Sequence, residues 1–190
     1  MAKSISIDKK ISFLKKKTIT VEGDKSLSIR FLLLSSLSNG KCNAKNLLKS
    51  EDVINTINCI KKLGIKIYSN NQNCKVYGKG LKGFNYKKNI ILNAGNSGTA
   101  ARLLCASVID SNQYIKITGD ESLKKRDMGR ITGPLSKFGA KIKDNKKKLP
   151  LLIKGPKILK PITYHENLGS AQCKSAVMIA ALKTQGKTKI

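Results

Sequence analysis

Tryptophan is absent, and aromatic residues make up only 5% of the 190 residues. Base stacking needs rings, so a nucleic-acid platform is not the expected role. There is one histidine, His165. Five cysteines stand at 42, 59, 74, 105 and 173, with no Cys-x-x-Cys spacing. That excludes the common zinc and dithiol redox patterns. Scattered, odd-numbered thiols fit a reducing cytoplasm, and Cys59 and Cys105 lie in apolar helical patterns as small core residues. No apolar run approaches the ~18 residues of a membrane span. The first residues, MAKSISIDKKISFLKKK, lack the apolar stretch of a secretory signal. Ile5, Ile7, Ile11 and Phe13 alternate there, mostly at period 2, as in a strand.

Acidic residues are also few: 11 Asp and Glu against 38 Lys and Arg, a formal charge of +27. The lysines are spread along the chain rather than clustered. Such a field steers anions inward, so a small acidic substrate is expected, with nucleic acid only as an alternative partner. Arginine is scarcer still: Arg30, Arg102, Arg126 and Arg130 are the only four. Where lysine supplies the general charge, arginine is expected where a rigid bidentate fork is needed, as at carboxylates and phosphates. Arg30 and Arg126 close two similar octets, GDKSLSIR (23–30) and GDESLKKR (119–126), and Arg102 closes GNSGTAAR (95–102).

The chain repeats itself. Its periodicity and punctuation predict, in a first copy, a helix at 26–37, a strand near 42–48, a helix at 52–63 capped by Ser50 or Asp52, and strands at 65–68 and 74–77. A second copy reads as a strand at 90–93, a helix at 97–109, a strand at 114–118, a helix at 127–138 and strands at 141–143 and 151–153. LGIKI (63–67) and FGAKI (138–142) occupy equivalent places. A third copy has a strand at 158–164, a helix at 170–182 and a strand at 187–190, and is expected to continue with a further helix and two strands. The fold class is therefore α/β, built of repeated βαβαββ units, two full and a third truncated. The units run about 21–80, 88–155 and 156–190.

Three helices open alike. Ser26 with Arg30, Ser97 with Gly98, Thr99 and Arg102, and Ser170 with Gln172 and Lys174 each stand at a predicted helix N-terminus. Free backbone N–H groups and the helix dipole attract phosphate there. Each Ser taken alone is equally an ordinary cap; scarce arginines in corresponding places favour an anion site. Neither a P-loop nor a Gly-x-Gly-x-x-Gly fingerprint is present. His165, Asp120 with Glu121, and the Lys146–Lys148 run read as surface features, local charge balance and a solvated turn.

GDKSLSIRFLLLSSLSNG, LLKSEDVINTINCIKKLG, LNAGNSGTAARLL, ITGDESLKKRDMGRITGPLSKFGAKI and GSAQCKSAVMIAAL, in this order, resemble the enolpyruvyl transferases. Within them they are similar to the 5-enolpyruvylshikimate-3-phosphate (EPSP) synthases of class II. The sister branch acting on UDP-N-acetylglucosamine opens its helix more like Gly-Ala-Lys-Asn.

The resemblance implies two domains of three βαβαββ units each. Residues 21–190 would be most of the first, and residues 1–20 a segment that pairs with the second. It implies transfer of enolpyruvyl from phosphoenolpyruvate (PEP) to the 5-hydroxyl of shikimate 3-phosphate, without metal or cofactor, in a protein that is monomeric at full length. Carried over by motif, Lys25 lies between both substrates. Ser26 and Arg30 hold shikimate 3-phosphate. Asn96, Gly98, Thr99 and Arg102 form the PEP-side loop, and Arg126 grips PEP. Ser170, Ala171 and Gln172 complete the shikimate-phosphate side. The family's acid/base groups belong to its second domain, so no complete catalytic set is expected in these 190 residues. Gly98 leaves room beside PEP, which in the family favours glyphosate sensitivity. The chain departs from the pattern at Glu22, Ile29 and Asp127, and Asp127 is expected to pair with Arg126 or Arg130 and weaken the grip on PEP.

Overall fold

The structure is a computed structural model that describes residues 19–20, 23–70, 73–167 and 169–190. The expectations for Ile5, Ile7, Ile11, Phe13 and Glu22, and for all of segment 1–20 but its last two residues, lie outside the described residues. The first unit runs β1 (Ile19–Thr20), α1 (Lys25–Leu37), β2 (Asn39–Lys45), α2 (Glu51–Lys62), β3 (Lys66–Ser69) and β4 (Asn73–Lys79). Its sheet has the order β1-β2-β4-β3. β1 and β2 are parallel, with Ile19 opposite Ala44, and the other pairs are antiparallel. This sheet thus takes in Ile19 and Thr20, two residues before the expected start of the unit.

The second unit repeats the plan with β5 (Ile91–Asn93), α3 (Gly98–Ser107), β6 (Ile115–Thr118), α4 (Glu121–Lys125), α5 (Gly129–Lys137), β7 (Lys141–Asn145) and β8 (Lys148–Lys154). Its sheet order, β5-β6-β8-β7, is the same arrangement, again with the first pair parallel and the others antiparallel. In the third copy α6 (Ala171–Ala181) lies between Thr163 and Lys189, which form a parallel bridge. This is the βαβ opening of the same plan. The strands expected at 158–164 and 187–190 shrink to that one bridge, because a parallel pair with no third strand has little to hold it in register.

Local signals explain most boundaries. Gly64 and Gly139 end α2 and α5 with φ of +84° and +101°, conformations that a side chain disfavours. Ser50, Ser97 and Ser170 cap α2, α3 and α6, each accepting from the backbone N–H three residues on. The first helix differs from expectation. Its N-cap is Asp24, whose carboxylate accepts from Leu27 N at 2.6 Å, and Ser26 lies inside the first turn. Asp120 makes the same bond to Leu123 N at 2.7 Å and opens α4, a helix that the sequence reading passes over. The duplicated Gly-Asp-x-Ser-Leu is therefore a capping device used twice. The two arginines that follow sit differently: Arg30 is within α1, and Arg126 ends α4.

The core runs continuously through both units. Helix α3 packs between α1 and α6. Every α3 residue is buried except Arg102. Such a helix must be small and apolar around its circumference, which Gly98, Ala100, Ala101 and Ala106 allow. Cys59, Cys74 and Cys105 are buried in this core; removal from water pushes their thiols up to about 11, 11 and 12. Cys173 is buried as well, and Cys42 is half-buried. No helix among the described residues is long and apolar enough to cross a membrane.

Two measurements check this account. Asp24→Ala or Asp120→Ala should each destabilise the fold by about 1 kcal/mol in thermal melts, whereas Ser26→Ala should cost less than about 0.5 kcal/mol. Equal losses at Asp24 and Ser26 would contradict the cap assignment. A thiol reagent at pH 8 should titrate Cys42 rapidly and the other four cysteines only on unfolding; two or more fast thiols would contradict the burial described.

Candidate functional site

The N-termini of α1, α2, α3 and α6 meet through a chain of contacts. Lys25, the first residue of α1, pairs with Asp52 in the first turn of α2, Nζ to Oδ2 at 3.0 Å. One turn further, Asn55 lies against Gly95 in the turn before α3. A Cβ built on Gly95 would stand 2.1 Å from Asn55 Nδ2, and Gly95 has φ of +59°, so both space and backbone require glycine. The same turn binds the next loop, with Asp120 N donating to Gly95 O at 2.9 Å.

From α3 the chain of contacts continues to α6. Gln172 Nε2 donates to Thr99 Oγ1 at 2.9 Å, and Arg102 Nη1 donates to Gln172 Oε1 at 2.7 Å. Arg126 reaches back from the end of α4, and its Nη2 donates to Asn96 Oδ1. Both guanidiniums close on Gly98: a Cβ built there would lie 2.8 Å from Arg102 Nη1 and 3.3 Å from Arg126 Nη1. Asn96, Gly98, Thr99, Arg102, Arg126 and Gln172 thus form one cluster, at a place where two helix N-termini present free N–H groups.

The other residues singled out in the sequence stand at the same end of the helices but outside this cluster. Arg30 Nη1 donates to Ser26 O at 3.2 Å, so this guanidinium is folded onto its own helix. Lys25 is half exposed and held by Asp52, a contact worth no more than about 1 kcal/mol at such exposure. Ser170 caps α6 and Ala171 is that helix's first residue.

Two expectations need correction or addition. Asp127 makes no ion pair with Arg126 or Arg130 among the described residues. Its carboxylate accepts from Gly129 N at 2.9 Å, shaping the entry to α5. Its carbonyl accepts from Arg102 Nη2 at 3.3 Å, so Asp127 helps to aim an arginine through its backbone. Asp52 and Asn55 were missed as site neighbours, because their partners are distant in sequence; Asp52 stood out only as one of the two candidate caps of its helix. Among the described residues no three His, Cys, Asp or Glu side chains cluster. His165 is exposed, and Glu121 pairs with Lys124 at 2.6 Å, the local charge balance expected of that stretch.

Physically the cluster is a cationic patch: two guanidiniums, the helix N–H groups that the Ser97 and Ser170 caps leave free, and small residues that let a ligand approach the backbone. Gly98→Ala should displace both guanidiniums. It should weaken binding of a small phosphate-bearing carboxylate at least about fivefold, or roughly 1 kcal/mol, while the melting temperature changes little. Anion affinity measured by calorimetry and unchanged in Gly98→Ala would contradict the geometry.

The chain matches the family model described as EPSP synthase (3-phosphoshikimate 1-carboxyvinyltransferase) over residues 10–190. It is 44% identical over 177 residues to a 3-phosphoshikimate 1-carboxyvinyltransferase of Vesicomyosocius okutanii, covering 90% of this chain and 39% of that protein. Identity to the enzyme of that name from Streptococcus agalactiae serotype Ia is 42%, over 92% of this chain and 41% of the relative. A solved structure of EPSP synthase from Acinetobacter baumannii superposes with a TM-score of 0.82 at 34% identity, covering 90% of this chain and 39% of that one. The chain belongs to the EPSP synthase family and spans about two fifths of the length of these relatives.

Proposed function

We propose that this member of the EPSP synthase family supplies the shikimate 3-phosphate site and part of the PEP site of a 3-phosphoshikimate 1-carboxyvinyltransferase. The reading places it at a cytoplasmic step of the shikimate pathway toward chorismate and the aromatic amino acids. Ser26, Arg30, Ser170 and the Ala171 N–H hold the 3-phosphate end. Asn96, Gly98, Thr99, Arg102 and Arg126 face PEP, while Lys25 and Gln172 stand between the two substrates.

The observation that carries this reading is the bridge from Gln172 to both Thr99 and Arg102, which joins the N-termini of α3 and α6 at one point. Two anions that must react with each other need neighbouring cradles, and joined helix N-termini provide them. The 5-hydroxyl of shikimate 3-phosphate then adds to C2 of PEP while C3 takes a proton. The hydroxyl gives up its proton in that addition; phosphate then leaves C2 of the tetrahedral intermediate as a proton is lost from C3, which restores the C=C bond of the enolpyruvyl product. The residues of this chain contribute positioning and charge stabilisation of the phosphate and carboxylate oxygens. The proton-transfer groups are assigned to the partner domain of the family.

Calorimetry of the 190-residue chain with shikimate 3-phosphate should show saturable binding near the millimolar range, about −4 kcal/mol. Arg30→Ala or Ser170→Ala should each weaken it at least about tenfold, roughly 1.4 kcal/mol. Phosphate release from PEP by the chain alone should stay at the blank rate. Binding that ignores both substitutions, or turnover by the isolated chain, would overturn the reading.

A further inference from the structure

A cavity of about 670 Å³ lies at the opposite end of the same helices. It opens where α3 and α6 end, beside Val108 and Lys183. Along α6 the separation from Gln172 to Leu182 is about 15 Å, so this cavity is separate from the cluster around Arg102.

Its walls are two inter-unit connectors, 80–90 and 155–162, and both are pinned. Asn85 N donates to Leu63 O at 2.9 Å, Gly155 N to Ser111 O at 2.7 Å, and Lys160 N to Phe138 O at 3.1 Å. Tyr86 OH donates to Ser111 Oγ at 2.8 Å, whose hydroxyl in turn donates to Gln113 O. A Cβ on Gly155 would stand 2.4 Å from Ile109 O, so the connector passes as closely as a backbone can. The cavity is therefore preformed, which lowers the cost of binding.

Its chemistry is amphipathic. Phe84, Tyr86 and Leu159 contribute apolar and ring surface, and Ile158 at the edge is 72% exposed, the most exposed of the large apolar side chains among the described residues. At the lining, the Lys183 side chain is 1% exposed, paired with Asp110 at 2.6 Å and set over the Phe84 ring at 5.2 Å. That pair neutralises itself and fixes Phe84. Lys82, Lys88 and Lys157 line the same cavity, and among the described residues no carboxylate pairs with them. The cavity thus sets three lysines with no carboxylate partner among the described residues beside a patch of ring and aliphatic surface.

We propose that this cavity is a second ligand site, distinct from the anion cluster, that takes a small aromatic carboxylate: the ring against Phe84, Tyr86 and Ile158, the carboxylate toward Lys82, Lys88 and Lys157. A bare inorganic anion forgoes the apolar wall, and an aromatic cation meets three positive charges. The site therefore selects for both features together.

The test uses naphthalene-2-carboxylate titrated into the ¹⁵N-labelled 190-residue chain. Saturable amide shifts are expected in 81–88, 110–113, 156–159 and 183–185, with Kd below about 1 mM. The double variant Lys88→Glu/Lys157→Glu should weaken binding at least about tenfold. Both side chains are exposed, so its melting temperature should stay close to that of the parent. Ile158→Ser should weaken binding about threefold or more. Naphthalen-2-ylmethylamine and inorganic phosphate should leave these resonances in place. The proposal is overturned by absence of saturable shifts in these segments, by equal binding of the amine or of phosphate, or by unchanged affinity in the charge-reversed variant.

Discussion

Helix α3 is buried on every side but one, and Arg102 is the side chain on the open side. A helix packed between α1 and α6 cannot slide or rotate without disturbing two interfaces. Its N-terminal N–H groups, its Ser97 cap and Arg102 are therefore held in place before any ligand arrives. The bonds from Gln172 to Thr99 and Arg102 transfer that rigidity to α6. The Gly95 turn, with Asn55 against it and Asp52 holding Lys25, transfers it to α1 and α2. In this arrangement the repeated βαβαββ plan acts as a positioning device: each parallel βαβ crossover delivers a helix N-terminus to the same end of the molecule.

Much of this was legible in the sequence because local punctuation is strong. Gly64 and Gly139 end helices, and Ser97 and Ser170 open them, where the pattern predicts. Two adjacent candidates confused the start of α1. Asp24 and Ser26 are both competent caps, and only the actual bond to Leu27 N separates them. Helix α4 has five residues, too few to display a period, and its charged face resembled a loop. The strands of the third copy carry β-forming residues, yet strand content depends on neighbours, and only Thr163 and Lys189 pair.

The site divides in the same way. Helix-start serines and scarce arginines announced an anion site one loop at a time. Which loops come together is tertiary information: Gln172 and Thr99 are 73 residues apart, and Lys25 and Asp52 meet across two helices. Asp127 shows the opposite error. Its charge suggested an ion pair, but local backbone geometry captured the carboxylate first, in a bond to Gly129 N.

The high positive charge acts at two levels. Spread over the surface it steers anions toward the molecule, a long-range effect that salt screens. At Arg102 and Arg126 it becomes specific, because planar forks fixed by Gln172, Asn96 and the Asp127 carbonyl have little freedom left to lose. A crystal structure of the 190-residue chain with shikimate 3-phosphate tests the central claim most directly. The account predicts the phosphate between the N-termini of α1 and α6, within hydrogen-bond distance of Ser26, Arg30 and Ser170, with Arg30 swung off the Ser26 carbonyl. A phosphate bound elsewhere, with Arg30 still folded onto its own helix, would contradict it.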